Sequence, residues 1–292
     1  METGMENKLG PQLAGSSLAG VAGWGIKTIN LFEKYRHNHE QLSSYKKVLG
    51  TMIKFKEMYR PLYRGGKRVD LTGRLEEINE YRRLRRAEIY LNKRDLINTF
   101  DTAKGRRIVV TSRGRKIFYK DCPLARLRKK KWNGIWTVVM YDFPEKIRGK
   151  RDFFRRKLVG LGFGRAQISI LVSPLPLEEE IRKLVEGEGL EDFIWVARAK
   201  KIVGTSDQEI ARKAWPLEEI DILYGKLLES LNKAKQSEHL MDQWRSYFLA
   251  VNTSDPYLPG ELLPPDWRGW ACEKEFLKTD FLALARALFR PW

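Results

Sequence analysis

The sequence predicts an α+β protein in three parts, and three observations support that prediction. The positive charge of the 292-residue chain is confined to its first part. The middle part alternates apolar strand patterns with helix patterns, and the last part has the period of amphipathic helices, interrupted by a proline-rich segment. A chain of this length suits two or three small domains, each long enough to bury its own hydrophobic core.

The first part is strongly basic, whereas the remainder is neutral. Residues 1–131 contain 31 lysine and arginine residues against 13 acidic ones, and residues 132–292 contain 24 of each. The net charge of +18 therefore belongs entirely to the first part. A basic region joined to a neutral one is typical of a module that binds a polyanion such as nucleic acid. The alternative is a generally basic chain without a specific partner, and the confinement of the charge argues against it.

A basic amphipathic helix is predicted over Tyr81–Asp95. Its apolar residues share one face, namely Leu84, Ala87 and Leu91. Its basic residues lie opposite that face or on its flanks, namely Arg82, Arg83, Arg85, Arg86 and Lys93. Ile89 falls on the polar side, where it would contact a thymine methyl group or a neighbouring element. The alternative interpretation is a solvated basic helix on a small α/β domain.

Two short strands are predicted after this helix, at Leu96–Phe100 and Arg106–Thr111, around a turn at Thr102–Gly105. A helix followed by a hairpin is the arrangement of a winged-helix DNA-binding domain, which we place at residues 44–125. The helix would enter the major groove while the hairpin contacts phosphates. The predicted DNA-binding residues are therefore the five basic residues of the helix and three of the hairpin, Lys104, Arg106 and Arg107.

The segments on either side of this domain are less regular. Residues 1–43 are predicted to form an N-terminal arm, flexible or loosely helical. Its uncharged stretch Leu9–Ile26 has almost the length of a membrane span, but its five glycines make it weakly hydrophobic, so no membrane association is predicted. Helices are also expected at Tyr45–Tyr59 and Leu71–Asn79. Residues 126–131 (RLRKKK) are interpreted as a basic linker that either adds phosphate contacts or is merely solvated.

The middle part, residues 132–205, has the pattern of a βαββαβ unit. Thr137–Tyr141 is predicted to be an apolar strand that ends at Asp142, and a basic amphipathic helix follows. The apolar residues of that helix share one face, namely Ile147, Phe154, Leu158 and Leu161. After a Gly-Phe-Gly turn and a second strand, a helix at Leu177–Glu186 and a strand at Asp192–Ala199 complete a ferredoxin-like domain.

The last part, residues 206–292, is predicted to be an α-helical domain. Helices are expected at Trp215–Asn232, His239–Val251 and Glu273–Phe289. Asp255–Trp267 contains four prolines and is predicted to be an extended loop. Five aromatic residues of this part would either line a ligand pocket or form the core, namely Trp244, Tyr247, Phe248, Trp267 and Trp270.

Two segments carry the motifs of a known family. The first has a strand ending in Asp142, then Pro144-Glu145, a basic helix and a strand closing in Ser173-Pro174. The second runs from Asp255 to Trp267 with the pattern Asp-Pro-x-Leu-Pro-x-x-Leu-Leu-Pro-x-x-Trp. Over roughly the last 160 residues the chain resembles the PaaX family, repressors of phenylacetic-acid degradation. The resemblance implies a DNA-binding repressor that responds to an aryl-CoA thioester.

The first of these segments also resembles the small CRISPR-associated endonuclease subunit, through Tyr141-Asp142 and the Gln-x-Ser at Gln167 and Ser169. In that family the carboxylate at the end of the first strand binds a divalent ion, so the resemblance implies Asp142 as a metal ligand, with Glu145 nearby. The alternative is that Asp142 caps the turn that follows it. The endonuclease subunits have nothing like the second segment, which favours the repressor.

The sequence thus predicts a sequence-specific transcriptional regulator, a repressor rather than an enzyme, that binds double-stranded DNA as a homodimer. An acyl-CoA-type effector is implied by the resemblance alone. The alternatives are a metal-dependent nuclease built on the middle domain and a nucleic-acid-binding adaptor. No cofactor is predicted, because Cys122 and Cys272 have no neighbours at metal-ligand spacing. Two cysteines that cannot build a disulfide framework fit a cytoplasmic location.

Overall fold

Helices and strands are mixed along the chain, and the strands form two separate sheets, so the predicted α+β class is confirmed. Within the residues that the structure describes, no helix is long and apolar enough to cross a membrane. The predicted helix at Tyr45–Tyr59 falls almost wholly outside the described residues. The structure is a computed structural model, and it describes residues 18, 22–42, 46, 47, 49, 75–102, 105–128, 130–200 and 202–278.

Along the chain, the first region has helices before and after a two-stranded antiparallel sheet. In this sheet Ile97 lies opposite Val110, and Thr102 lies opposite Gly105. The hairpin was predicted from its strand and turn residues, whereas the helix after it was not predicted. The elements in chain order are α1 (Ile26–Glu40), α2 (Leu75–Lys93), β1 (Ile97–Thr102), β2 (Gly105–Val110) and α3 (Ser112–Asp121).

The middle region is a four-stranded sheet with two helices in its connections. Its elements are β3 (Trp136–Tyr141), α4 (Arg148–Gly160), β4 (Gly164–Gln167), β5 (Ile170–Ser173), α5 (Glu178–Glu188) and β6 (Ile194–Ala199). The strands lie side by side in the order β4-β5-β3-β6, and each neighbouring pair is antiparallel. This is the order of strands and helices along the chain that the apolar pattern predicted.

Each face of this sheet meets a different part of the protein. Phe154 and Leu158 of α4 are fully buried, and the Phe154 ring lies 6.2 Å from that of Tyr141 in β3. On the other side, the indole N–H of Trp136 donates to Asp207 Oδ1 at 2.7 Å, and the Trp136 ring stacks on Trp215. At β3 the sheet is therefore covered on one face by α4 and on the other by the segment that follows the sheet.

The last region is helical, as predicted. Its helices are α6 (Asp207–Ala214), α7 (Leu217–Ala234), α8 (Glu238–Ser254) and α9 (Gly269–Phe276). Trp244 of α8 stacks on Phe248 with ring planes 3° apart, and its indole N–H donates to the Leu227 carbonyl of α7. Of the five aromatic residues predicted to form a pocket or core, four are buried and belong to the core, and Trp270 is exposed.

Helix α1, which lies in the predicted N-terminal arm, packs on α7 and α8. The rings of Trp24 and Phe32 stack with their centroids 4.6 Å apart, and both contact Tyr247 of α8. Tyr35 donates its hydroxyl to Glu219 of α7, and Lys34 forms an ion pair with the same carboxylate, both at 3.1 Å. Residues 26–40 are thus a packed helix within the segment that was predicted to be a flexible or loosely helical arm.

Several elements and boundaries differ from the prediction. Helix α6 was not predicted, and it begins at Asp207 because Ser206 and Glu209 form a reciprocal capping box. Strand β6 begins at Ile194 instead of Asp192, since Glu191–Phe193 form a 3-10 turn. The last helix begins at Gly269 instead of Glu273, and the predicted continuation to Phe289 lies outside the described residues beyond residue 278.

Candidate nucleic-acid interface

Helix α2 presents two different faces. Leu84, Ala87 and Leu91 are at most 4% exposed and lie in the core of the first region. These three residues have the spacing of one helical face, so their burial fixes the rotation of the helix. Four of the five predicted basic side chains, all except Arg85, are accordingly exposed.

The outward face of α2 carries a stripe of three cations and one isoleucine, which we call the α2 stripe: Arg82, Arg86, Ile89 and Lys93. The intervals of four, three and four residues place them on one side of the helix. All four are exposed, and Ile89 is 45% exposed despite its apolar side chain. Arg83 is also exposed and lies on a flank of the stripe. A surface of this kind offers cations to phosphates and an apolar atom group to a base edge.

Arg85 differs from the other predicted DNA-binding arginines. It is half-buried, and its guanidinium donates to Glu88 Oε2 at 2.6 Å. Glu88 itself is only 3% exposed. A buried carboxylate requires a charged or polar partner, so Arg85 stabilises the helix by compensating the charge of Glu88.

A tight turn joins α2 to the hairpin. Asp95 adopts a left-handed conformation with φ of 56°, and the Leu96 amide donates to the Leu91 carbonyl at 2.9 Å. Short polar residues tolerate this conformation better than most. Asn92 also donates its side-chain amide to Thr99 Oγ1 of β1, at 2.8 Å. The end of the helix and the start of the hairpin are therefore held together.

The hairpin places the predicted wing residues close to its tip. Arg106 and Arg107 lie in β2, opposite Asp101 and Phe100 of β1. Lys104 lies outside the described residues. The backbone of the two arginines is thus at the far end of the hairpin from α2, where an extended wing would be located.

Helix α3 is a second basic helix that the sequence reading missed. Its four basic residues are Arg113, Arg115, Lys116 and Lys120, and all are exposed. Thr111 caps its start, because the threonine hydroxyl accepts from the Gly114 amide at 3.0 Å. The same hydroxyl donates to the Asp95 carbonyl at 2.7 Å, which ties α3 to the turn after α2. A threonine before an amphipathic stretch is a helix-start signal that would have identified it.

Asp142 lies at the end of β3 with its side chain exposed. Its backbone amide donates to the Phe193 carbonyl at 2.9 Å. The neighbouring Glu145 is paired with Arg151 at 3.3 Å and with Arg148 at 3.7 Å. Among the described residues, no group of three or more histidine, cysteine, aspartate or glutamate residues is arranged to hold a metal ion. Metal binding by Asp142 thus remains a hypothesis based on one exposed carboxylate.

The predicted linker contains one arginine that faces inward. Arg128 is 6% exposed and lies against Asp255 of the C-terminal region, whereas Arg126, Lys130 and Lys131 are exposed. Arg128 is therefore neither solvated nor accessible to a phosphate, the two roles predicted for the linker. Nothing in the local sequence distinguishes this arginine from the basic residues around it.

Comparisons with known proteins identify the middle region. Residues 129–211 match the family model described as the PaaX protein central Cas2-like domain. Among curated proteins, the chain is 22% identical over 165 residues to the transcriptional repressor PaaX of Escherichia coli (strain K12), a match that covers 51% of this chain and 52% of that protein. The chain therefore spans about half the length of the curated relative it matches. The predicted resemblance is confirmed.

One solved structure also aligns with this chain. It is the uncharacterized protein Rv0674 from Mycobacterium tuberculosis, which is 20% identical in sequence. The alignment has a TM-score of 0.41 and covers 70% of this chain and 82% of the other.

Proposed function

We propose that this protein, whose residues 129–211 match the PaaX central-domain model, is a sequence-specific DNA-binding transcriptional repressor. The observation that carries the proposal is the exposed α2 stripe, with three cations around Ile89 on one helix face. The curated relative is by name a transcriptional repressor, which supports the same role. The confinement of the net charge of +18 to the first 131 residues supports DNA as the partner.

We interpret the first region as a winged helix and the middle region as a ferredoxin-like domain. Helix α2 followed by the β1–β2 hairpin has the order of a recognition helix and its wing. The middle strand order β4-β5-β3-β6, with all pairs antiparallel, supports the second interpretation. The domain boundaries that belong to this proposal are residues 44–125, 126–131, 132–205 and 206–292, after an arm at residues 1–43.

Within this proposal each part of the basic surface has a task. The α2 stripe enters the major groove, where Arg82 and Arg86 contact bases or phosphates and Ile89 contacts a thymine methyl group. The wing residues Lys104, Arg106 and Arg107 contact the phosphate backbone, which positions the helix without reading sequence.

The partners follow from the function and from the family resemblance. A two-fold homodimer reads a palindromic operator, so we propose a homodimer that acts in the cytoplasm. The resemblance implies an aryl-CoA thioester as the effector that releases the protein from DNA. No cofactor enters the proposal.

The decisive experiment is a gel-shift titration of the purified protein against duplex DNA from upstream of its own gene, hereafter the operator duplex. A discrete shift that resists random duplex competitor is expected. The variant Arg82→Ala/Arg86→Ala should weaken operator binding at least tenfold, because a lost base contact costs about 1 to 3 kcal/mol and a lost phosphate contact weakens binding further.

The matched control is Arg212→Ala/Lys213→Ala. It removes the same charge from two exposed residues of α6, remote in sequence from α2, and should bind the operator duplex like the unmodified protein. Paired lanes with Mn²⁺ or EDTA test the nuclease alternative. Metal-dependent cleavage that disappears in Asp142→Ala, or binding without preference over random duplex, would contradict the repressor.

A further inference from the structure

Arg128 connects the DNA-binding region to the C-terminal helices through a buried ion pair. Its Nη1 donates to both carboxylate oxygens of Asp255 at 2.9 Å, and its Nη2 lies 3.7 Å from Glu273 Oε2. The Arg128 side chain is 3% exposed and the Asp255 side chain is fully buried. Loss of one partner from such a buried charge pair strongly destabilises the folded protein, because the other charge remains buried without compensation.

Two aromatic rings enclose the same guanidinium. Its central carbon lies 4.4 Å from the ring centroid of Tyr257 and 4.4 Å from that of Trp270. Arginine stacks on aromatic faces with its planar guanidinium, which lysine cannot reproduce. The contact is therefore specific for arginine in shape as well as in charge.

Asp255 is itself held by the C-terminal helices. It accepts from the Tyr224 hydroxyl of α7 at 3.1 Å and from the Tyr257 amide at 2.8 Å. The Tyr257 hydroxyl donates to Asn252 Oδ1 of α8 at 2.7 Å, and Tyr257 has a left-handed backbone with φ of 59°. A tyrosine in this conformation is strained, and such strain persists only where the surroundings over-determine it. These hydrogen bonds hold the Asp255 carboxylate in a fixed position to bind the arginine.

The protonation states in this network favour the pair. Burial raises the pKa of both Tyr224 and Tyr257 well above the usual range, so both hydroxyls stay protonated and can donate. Burial acts to lower the pKa of Arg128, but the charge of Asp255 and its neighbours outweighs that effect, and the net pKa is raised. The guanidinium therefore remains charged.

Arg128 lies in the segment that connects the DNA-binding elements to the middle region. It follows α3 by seven residues, and within that interval Leu124 is buried against Gly162 at the end of α4. Upstream of α2, Trp24 and Phe32 pack on Tyr247 of α8, and the Tyr35 hydroxyl of α1 donates to a carboxylate oxygen of α7. The chain is thus attached to the C-terminal helices before and after the DNA-binding elements.

We propose that Arg128 is a positioning residue that fixes the α2–β1–β2–α3 unit on the C-terminal helices. This inference rests on the proposed function. A two-fold protein binds two half-sites strongly only when its two DNA-binding units are held at a set separation. Rigid attachment avoids the entropy cost of ordering the units at the moment of binding. A change in the C-terminal helices would then be transmitted to the DNA-binding unit through Arg128.

The test is the charge-neutral double variant Arg128→Met/Asp255→Asn. It removes the Arg128–Asp255 ion pair without leaving Asp255 as a lone buried charge, and Glu273 has interactions besides that with Arg128, so folding should be retained. Net charge is unchanged, so affinity for random duplex should be unchanged as well. Affinity for the operator duplex should fall by about tenfold or more. The penalty for inserting about five base pairs, half a helical turn, between half-sites should shrink, because loosely held units tolerate either spacing.

The control is Arg126→Met, which alters an exposed arginine two positions earlier and should retain both operator affinity and the spacing preference. Should the double variant unfold, Arg128→Lys decides the question, since it keeps the charge and loses the stacking. A folded variant with unmodified operator affinity and spacing preference would show that Arg128 merely stabilises the fold. An unmodified protein without operator preference would instead refute the proposed function.

Discussion

Arg85 and Arg86 are neighbours in the sequence with different tasks. Arg86 belongs to the exposed α2 stripe, whereas Arg85 is paired with the buried Glu88 at 2.6 Å. A helical wheel places both among the basic residues of one amphipathic helix. The distinction depends on how deeply Glu88 lies, and that depth is a property of the elements packed around it.

Separate alanine substitutions of these two arginines should therefore act on different quantities. Arg85→Ala should lower the free energy of unfolding by about 1 to 3 kcal/mol, because it removes a 2.6 Å charged hydrogen bond from a buried carboxylate. Arg86→Ala should change the free energy of unfolding by less than about 0.5 kcal/mol and weaken operator binding. Urea unfolding and gel shifts on both variants check this. Equal loss of stability in the two variants would contradict the assignment.

Arg128 is a second arginine whose role depends on burial that the local sequence does not reveal. In the sequence it is one of several basic residues in RLRKKK, and its partner Asp255 is 127 positions away. Asp255 is the first residue of the PaaX-like proline-rich segment, so the sequence shows the motif but not the ion pair that Asp255 forms with Arg128. Long-range pairing of two charges leaves no periodic signal in one sequence.

At the scale of the element, α3 depends on a close approach to the hairpin. A Cβ atom added to Gly114 would collide with the carbonyl oxygen of Leu96. That carbonyl accepts from the Thr111 amide at 3.1 Å, so it cannot move away without breaking the link between the hairpin and α3. Glycine is required here for space, since its backbone conformation is ordinary for a helix.

The substitution Gly114→Ala should therefore be destabilising, although alanine is normally the better helix former. We expect a loss of about 1 to 3 kcal/mol in the free energy of unfolding, as for other overpacked sites. The matched control is Gly149→Ala in α4, where nothing lies within 4 Å of the added carbon, and this change should be neutral or slightly stabilising. Thermal unfolding of both variants measures the difference. A stabilising Gly114→Ala would contradict the observed packing.

The elements with strong periodicity were predicted, and the short capped ones were missed. Helices α2, α4, α7 and α8 repeat their apolar residues over several turns, which makes their existence visible in the sequence. Helices α3 and α6 are eight to ten residues long and depend on Thr111 and on the Ser206–Glu209 capping box. A cap is a single local contact, so it is easily overlooked between stronger signals.

At the scale of the whole molecule, charge separation predicts the salt dependence of binding. Phosphate neutralisation releases counterions, so the logarithm of operator affinity should fall linearly with the logarithm of salt concentration. The slope should shrink by up to about 2 in Arg82→Ala/Arg86→Ala, because each phosphate contact contributes roughly 0.9. Arg212→Ala/Lys213→Ala should leave it unchanged. Gel shifts at several salt concentrations measure the slopes, and equal slopes in all three proteins would place the phosphate contacts elsewhere.

The α+β class, the order of the middle strands and helices, the helical last region and the basic first region follow from the amino-acid sequence alone. Each of these depends on periodicity, composition or local motif, which are properties of neighbouring residues. The three-dimensional fold was needed to establish that α1 packs on α7 and α8, that four aromatic residues are core, and that Arg128 binds Asp255. Those facts join residues far apart in the chain, and their energies arise from burial and pairing that exist only after folding.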